Sequence, residues 1–507
     1  MTIEGPTSDG TPEVTPELTL AVTPDETPEA VSGAPESMTL TRRKFTRGRI
    51  IGIGAAAFLT VVVGSALAYA LLSGGGAQPE SVLPGDTAVF AKIDLNPKIG
   101  QRVNLVRLVS KFPQALKNFN QDDPIASVFN EVTRNSNFDW SQLKPWIGNR
   151  FAVGAIETSQ GVQLVLVLAV TNESEMRYFF AKQFPDLKYF VASNFVVIGD
   201  SQETINLVQS APSHLSDNAN FKSDVSALGG DQLGLIWGEL KSLESLYGDT
   251  FDSYLSDRGL GGNLDSIKNT GGRIALGFHA TPDSLVTTFL TRGFNTKNIT
   301  WPSGDRSGKA LQNLPDSALA AVSIDGIGKA LSSFISGNSD VTKLLDDYGV
   351  STSDITDLLD GPIDLIALQS SSTNTKPLIS IRLNPRDAGT SFSKMKRILE
   401  DNGYTSSDVN SVMSQEGSSL YLGVDKASIR NAIGQLSGAS PKLGRADLYK
   451  KTVTESGAIT GYFDIQRLLR SYDIPGNYKP LAAAGFVISV DKNDPGSSRA
   501  TITLTLR

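Results

Sequence analysis

Three short segments of this chain have residue types and an order that are typical of serine acyl-transferases. Ser141 and Lys144 form a Ser-x-x-Lys motif, residues 216–218 are Ser-Asp-Asn, and residues 268–271, Lys-Asn-Thr-Gly, are close to Lys-Thr-Gly. In such enzymes the lysine amine activates a buried serine hydroxyl one helical turn away. Pro145 should end the helix directly after Lys144, and the third motif carries one extra residue. We therefore interpret the set as a chance match and predict no nucleophile at Ser141.

Asp200 and Ser201 lie where a predicted strand (197–199) passes into a predicted helix (202–209). A serine at such a turn could be the nucleophile of a hydrolase, and a Ser–His–Asp system would then need His214 or His279. The simpler interpretation is that Asp200 and Ser201 cap the helix, because short polar side chains are preferred at that position.

Asp94 and Asp325 end the first predicted strand in each half of the region beyond residue 82, and a helix is predicted to follow each of them. They could be paired carboxylates for acid and base chemistry. We favour a structural role, as helix caps or turn acids. We expect Trp140, Trp146, Trp237 and Trp301 to lie in the core or an interface.

The composition excludes several kinds of chemistry. The chain has no cysteine and two histidines, and its net charge is −7. It cannot form disulfides or thiolate metal sites, and it lacks the basic surface of a nucleic-acid-binding protein. No phosphate-binding loop, dinucleotide fold motif or calcium loop is present. We predict no catalytic residues, no metal site, no cofactor and no nucleic-acid partner.

The first 49 residues divide into an acidic tail and a basic collar. Residues 1–40 carry eight acidic side chains and no lysine or arginine, with repeated Thr-Pro-Glu steps, and they are predicted to be disordered. Residues 41–49 carry five basic side chains and no acidic one. The tail would serve as a solvated spacer. If its threonines are phosphorylated, it would bind a phosphate-recognising partner instead.

Residues 50–72 form an uncharged apolar run of 23 residues. A helix of that length spans a bilayer core of ~30 Å, so we predict a single transmembrane helix. Because the basic collar precedes it, residues 1–49 should be cytoplasmic and residues 73–507 outside the membrane. The alternative is a cleaved secretory signal, but the apolar run and its leader are too long for that pattern.

The outer region contains an internal duplication. Residues 83–94 match residues 314–325 without a gap, and both matches end in Ile-Asp. Further pairs follow in the same order: 147–154 with 359–366, 197–201 with 422–426, 221–222 with 449–450, and 233–238 with 458–463. We predict a Gly-rich linker at 73–81, a first repeat at 82–295, a linker at 296–311 and a second repeat at 312–507.

Each repeat is predicted to have an α+β fold. Its order is strand, helices, two strands, helix, strand, helix, strand, helix, two strands. Only a few residues join the strands predicted at 150–157 and 162–170, and at 273–279 and 284–291. Such short connections require antiparallel pairing. We therefore expect two tandem repeats, each a mainly antiparallel sheet with helices packed on one face.

The outer region begins with a Leu-Pro-x-Asp-Thr-Ala motif at 83–88 and an Asp-Leu-Asn-Pro segment at 94–97, after the basic-flanked single span and before an expected helix. Together these features resemble an uncharacterised bacterial membrane-protein family, domain of unknown function 3352. The resemblance covers most of residues 82–507 and is strongest at the start of the outer region. In the second repeat Asp-Gly-Ile-Gly replaces Asp-Leu-Asn-Pro at 325–328. The resemblance implies a membrane topology and no particular activity.

These observations predict a single-pass cell-membrane protein, anchored in the bilayer through residues 50–72, with a duplicated extracytoplasmic region. We expect that region to bind an envelope protein, glycan or lipid without catalysis, on its surface or between the repeats. Two alternatives stay open. An extracytoplasmic hydrolase would need carboxylates or a Ser–Lys pair in a pocket, and a lipid or glycolipid carrier would need a continuous apolar cavity.

Overall fold

The structure is a computed structural model that describes residues 76–95, 97–112, 140–159, 161–242, 271–295, 301–369, 377–438, 441–472, 474 and 478–507. All of these residues belong to one compact unit. The predicted tail (1–40), basic collar (41–49) and membrane helix (50–72) lie outside them. Within the described ranges, no helix has the length and apolar character needed to cross a membrane. We call residues 76–295 the first half and residues 301–507 the second half.

Strands of the two halves form one large antiparallel sheet in a mixed α/β fold. The strands of the first half are β1 (Val89–Asp94), β2 (Ile147–Thr158), β3 (Gly161–Val170), β4 (Lys188–Ala192), β5 (Phe195–Gly199), β6 (Gly234–Glu239), β7 (Arg273–Ala280) and β8 (Ser284–Arg292). Those of the second half are β9 (Ala318–Ile324), β10 (Ile363–Leu368), β11 (Leu378–Leu383), β12 (Met413–Glu416), β13 (Ser419–Gly423), β14 (Ile459–Asp464), β15 (Leu481–Val490) and β16 (Ser498–Leu506).

Helices connect many of these strands. In the first half they are α1 (Ile99–Val109), α2 (Trp140–Leu143), α3 (Glu173–Gln183), α4 (Gln202–Gln209) and α5 (Ala219–Leu228). In the second half they are α6 (Ser307–Gln312), α7 (Ile327–Ser336), α8 (Ser339–Asp347), α9 (Thr352–Leu358), α10 (Ala388–Asp401), α11 (Ser406–Val412), α12 (Lys426–Ser437), α13 (Asp447–Thr452) and α14 (Ile465–Ser471). Short 3-10 helices occur at Pro79–Ser81, Leu215–Asp217 and Leu443–Arg445.

The two halves have the same strand order. It is β4-β5-β3-β2-β1-β6-β7-β8 in the first half and β12-β13-β11-β10-β9-β14-β15-β16 in the second. The predicted antiparallel pairings of β2 with β3 and of β7 with β8 are both confirmed. The segment pairs matched in the sequence fall at equivalent places in this order.

The two sheets that the sequence predicts are in fact one continuous sheet. The last strands of the halves, β8 and β16, pair antiparallel from Thr291 opposite Ser498 to Ser284 opposite Thr505. Across the same joint, the Lys451 ammonium lies 2.8 Å from the Asp283 carboxylate. Because β8 and β16 are equivalent strands and pair antiparallel, the two halves are related by an approximate two-fold axis at the joint.

Helices cover both faces of the sheet, so the expectation of a single helical face is wrong. On β1, Phe90 packs with Phe221 of α5 on one face, whereas Ala91 belongs with Leu105 of α1 and Met176 of α3 to the core on the other. In the second half, α12 and α10 likewise pack on opposite faces of β13. Strands buried on both faces lose the alternation that a one-sided sheet would show.

Three further differences from the predictions concern short segments. The prediction omitted β4 and β12, which are short edge strands next to β5 and β13. The predicted linker 296–311 includes most of α6, where the Ser307 hydroxyl donates to Gly457 O at 2.6 Å. The described part of the predicted linker 73–81 is packed as well, since Pro79 is buried and Glu80 pairs with Lys92 at 2.6 Å.

Candidate functional site

The residues of the serine-transferase pattern do not form a buried site. The side chains of Ser141 and Lys144 are both exposed, and α2 ends at Leu143. Ser216 lies in the short 3-10 helix Leu215–Asp217. Residues 268–270 of the third motif lie outside the described residues. The exposure of Ser141 and Lys144 contrasts with the buried serine and lysine that acyl transfer by this chemistry requires.

Ser201 caps the helix, as predicted, whereas Asp200 binds a side chain of the first helical turn and is not the cap. The Ser201 hydroxyl accepts a hydrogen bond from the Thr204 N–H, and Asp200 accepts one from the Thr204 hydroxyl at 3.0 Å. His214 is exposed, and its backbone N–H donates to Asp217 at 3.4 Å. His279 is half-buried on β7, and burial together with the positive charge of Arg499 lowers its pKa.

Asp94 and Asp325 are both buried, and the helices that follow them are capped by other residues, so the helix-cap part of that interpretation is wrong. The Arg150 Nε donates to Asp94 at 3.1 Å, from the neighbouring strand. Asp325 instead pairs with Arg306, at 2.8 Å from Nη2 to Oδ1, and also accepts the Arg306 backbone N–H. The two carboxylates lie in different halves, each neutralised by its own arginine, so they are structural ion pairs.

A cleft of about 540 Å³ lies in the first half, at one end of β1 and β6. The described residues that line it are Gly85, Asp86, Thr87, Ala88, Glu157, Pro212, Ser213, Asn218, Trp237, Glu239 and Ser242. We call this cavity the acidic cleft, because three acidic residues, Asp86, Glu157 and Glu239, line it. Its volume is in the range of small-molecule binding sites.

The Leu-Pro-Gly-Asp-Thr segment at 83–87 builds one rim of the acidic cleft. Leu83 is fully buried and anchors the loop, and the Thr87 hydroxyl donates to Pro84 O at 2.7 Å. The Gly85 N–H donates to Ser213 O at 2.9 Å, and the Asn218 amide donates to Gly85 O at 2.8 Å. These bonds hold the loop against the 212–218 segment and leave the Asp86 side chain exposed.

The end of β6 and the turn after it form the opposite wall. Trp237 is almost fully buried, and its indole N–H donates to Asp224 at 2.9 Å. Asp224 also accepts from Arg273 Nε at 2.8 Å. This buried network fixes the orientation of Trp237. Glu239 is exposed, whereas Ser242 is buried.

The lining gives the cleft a clear chemical preference. Asp86, Glu157 and Glu239 are exposed carboxylates, and like charges that line one cavity attract a cation. Hydroxyl, amide and backbone carbonyl oxygens add further hydrogen-bond acceptors. In the described part of the chain, no group of three or more His, Asp or Glu side chains is arranged to hold a metal ion. Carboxylates together with these acceptor oxygens suit an organic cation that carries N–H donors.

Sequence analysis did not identify the acidic cleft. Glu157 and Glu239 lie far apart in the chain on different strands, and neither belongs to a recognisable motif. Asp86 was part of the matched segment 83–94, but no chemical role was assigned to it. Of the four tryptophans, three are buried as expected, whereas Trp301 is 51% exposed.

Comparisons with known proteins show no family for this chain. No family model matches it, and no curated protein matches it. Among solved structures, the one described as "Structure of crystal form I of TP0453" is similar at 8% sequence identity and a TM-score of 0.16, over 72% of this chain and 99% of that chain. These values do not indicate a shared fold. Membership of domain of unknown function 3352 therefore stays a prediction.

Proposed function

We propose that this protein is a single-pass membrane protein whose outer region binds a cationic partner in the acidic cleft without catalysis. Residues 50–72 are its bilayer anchor, residues 1–49 are cytoplasmic and residues 73–507 are outside. The observation that carries the binding role is the convergence of Asp86, Glu157 and Glu239 on one cavity of small-molecule size. The second half repeats the strand order of the first half, and we interpret it as a product of the tandem duplication.

The same three carboxylates support a second candidate function, a hydrolase. Carboxylate-based hydrolysis needs one carboxyl group that stays protonated and one that stays ionised, usually because the protonated group is buried. Asp86, Glu157 and Glu239 are all exposed. Binding is therefore the better supported function, and hydrolysis is the alternative that an activity assay decides.

A lipid carrier fits the acidic cleft less well. Lipid tails need a continuous apolar lining, because burying unpaired charge beside them is costly. The acidic cleft is lined by three carboxylates, three hydroxyl groups and an amide, with Trp237 as its large apolar residue. A cationic protein segment or small amine matches this lining better than an acyl chain does.

The binding function can be tested by calorimetric titration of the full chain in mild detergent at low salt. The probes are N-acetyl-argininamide and N-acetyl-lysinamide, which carry a guanidinium and an ammonium group. The cleft variant is Asp86→Asn/Glu157→Gln/Glu239→Gln. A matched control, Asp346→Asn/Asp347→Asn/Glu416→Gln, removes the same charge from exposed sites elsewhere.

We expect the wild-type protein and the control to bind at least one probe, and the cleft variant to bind it about tenfold more weakly or less. The proposed function is wrong if neither cation binds the wild-type protein, or if the cleft variant binds as the control does. Turnover of envelope polymers that the cleft variant abolishes would instead support the hydrolase.

A further inference from the structure

The second half of the chain contains a counterpart of the acidic cleft. Val89 pairs with Gly238 in the first half, and the matched residues Ala320 and Phe463 pair in the second. From this register, Glu239 corresponds to Asp464 and Ser242 to Arg467. The loop residues Gly85 and Thr87 correspond in the same way to Asp316 and Ala318.

In the second half this position is filled by an arginine from the chain itself. Arg467, on α14, places its Nε 2.8 Å from Asp464 Oδ2. Its Nη2 donates to Asp316 O at 2.6 Å and to Ala318 O at 2.8 Å. The guanidinium is three-quarters buried and Asp464 is 8% exposed. One planar group thus satisfies a carboxylate and two backbone carbonyls together.

In the first half the same positions line an open cavity. Gly85, Thr87, Glu239 and Ser242, the counterparts of the four residues in this contact, are all part of the acidic cleft. Ser242 replaces the arginine with a side chain too short to reach the others. A carbonyl oxygen has two lone pairs, so Gly85 O can accept a second hydrogen bond beside that from Asn218.

The surrounding residues differ in charge as well. Asp86 corresponds to Ser317, whose hydroxyl donates to the Gln435 side chain at 2.5 Å. Ala155 and Ala367 are counterparts, because they pair with the matched residues Val89 and Ala320. Two residues further along each strand, Glu157 therefore corresponds to Gln369. At the matched positions the second half has two acidic residues, Asp316 and Asp464, and one arginine, whereas the first-half cleft has three acidic residues and, among its described lining residues, no cation.

We propose that the acidic cleft binds a guanidinium group from an arginine side chain of a partner polypeptide, seated as Arg467 is seated in the second half. This inference rests on the proposed function and names its ligand class. The absence of an internal arginine and the presence of one additional carboxylate act in the same direction, since both raise the affinity of the cleft for an added cation.

The geometry favours guanidinium over ammonium. In the second half two nitrogens of the planar Arg467 guanidinium donate hydrogen bonds in different directions. Nε donates to a carboxylate, and Nη2 donates to two backbone carbonyls. A lysine ammonium presents its donors from a single point and is more strongly hydrated, so it satisfies such spread acceptors less well.

The test extends the titration of the full chain in mild detergent to four probes: N-acetyl-argininamide, N-acetyl-lysinamide, the neutral N-acetyl-citrullinamide and free L-arginine. We expect the argininamide to bind about tenfold more tightly than the lysinamide, and the citrulline probe not to bind measurably. Free arginine should bind more weakly than the amide, because its carboxylate is repelled by the cleft. Tighter binding of free arginine would overturn the assignment to a polypeptide.

Two variants locate the binding. Ser242→Arg introduces the arginine of the second half and should fill the cleft, which reduces the affinity for argininamide at least about tenfold. The control Ser333→Arg adds the same charge at an exposed helical position and should leave that affinity unchanged. Glu239→Gln, at an exposed position, should weaken binding roughly tenfold without affecting folding. Equal affinity for argininamide and lysinamide, or unchanged affinity in both Ser242→Arg and Glu239→Gln, contradicts the guanidinium assignment. Neither result contradicts the binding of a cation by the protein. Failure of every cation to bind contradicts the proposed function itself.

Discussion

Arg467 and Asp464 form an ion pair of 2.8 Å at the place where the first half has Ser242 and Glu239. Two halves with one strand order thus differ at this place: the second half fills it with its own arginine, and the first half leaves a cleft. A duplicated fold can keep its core in both copies while a binding site is retained or lost in one of them.

Removing the internal arginine should open the second site. Arg467→Ser removes the guanidinium from Asp464 and from two carbonyls, whereas the backbone N–H of residue 467 still donates to Asp464. We therefore expect the free energy of unfolding to fall by about 1–3 kcal/mol. N-acetyl-argininamide should restore part of that loss by binding in place of the side chain. Urea unfolding of the full chain, with and without the probe, measures both effects.

The matched control for Arg467→Ser is Arg470→Ser on the same helix. Arg470 is exposed and donates to Gln466 O at 3.2 Å. Its loss should change the unfolding free energy by no more than about 0.5 kcal/mol. If the two variants are equally stable, or if the probe stabilises both alike, Arg467 does not have the role described above.

The arginines that pair with Asp94 and Asp325 should differ in their contribution to stability. Arg150 and Asp94 are 10% and 9% exposed, so Arg150→Met should cost about 3–5 kcal/mol by removing the ion-pair partner of a buried carboxylate. Arg306 is 52% exposed, and its backbone N–H, 2.8 Å from Asp325, remains in Arg306→Met. We expect a smaller loss there. Equal losses in denaturant unfolding would contradict this ranking.

The joint between β8 and β16 contains a polar pair that does not help to hold it. Thr288 lies opposite Thr501, and each buried hydroxyl lacks a hydrogen-bond partner among the described residues. Thr288→Val removes the unpaired hydroxyl at constant shape, so stability should stay the same or rise by about 1 kcal/mol. Ser284→Ala, which removes a 3.2 Å contact with the Thr505 hydroxyl, should lower it. Thermal unfolding distinguishes the two, and a loss in Thr288→Val would show that its hydroxyl is satisfied.

Local structure was predictable from the sequence where the signal is itself local. The helix cap at Ser201 and the hairpins β2–β3 and β7–β8 follow from polar residues at helix starts and from short connections. The joining of β8 to β16 was not predictable, because an exposed edge strand does not specify its partner by its own pattern.

The acidic cleft illustrates the same limit. Its carboxylates come from three separate segments, and only the pairing of β1 with β2 and β6 brings Asp86, Glu157 and Glu239 together. The internal match of 233–238 with 458–463 held a usable signal. Extending it by four residues would have aligned Ser242 with Arg467 and shown the change of charge.

His279 should make the protein less stable in mild acid. Burial and the charge of Arg499 lower its pKa below the unfolded value, so the unfolded chain binds more protons as pH falls through about 6.5. The contribution of His279 to the free energy of unfolding is therefore fully present above that pH and is lost as the pH falls below it. His279→Gln should flatten the decline in unfolding free energy below about pH 6.5, with His214→Gln as the matched variant. An unchanged slope in His279→Gln would contradict this role.

The predicted topology can be tested with single cysteines, because the chain contains none of its own. Ser32→Cys lies in the predicted cytoplasmic tail, and Ser174→Cys lies at an exposed position of α3. In intact cells a membrane-impermeant maleimide should label Ser174→Cys, and it should label Ser32→Cys only after the membrane is permeabilised, because the basic collar keeps the tail inside. The cysteine-free chain gives the background. Labelling of Ser32→Cys in intact cells would reverse the orientation, and loss of the tail from the membrane-bound chain would show that the apolar segment is a cleaved signal.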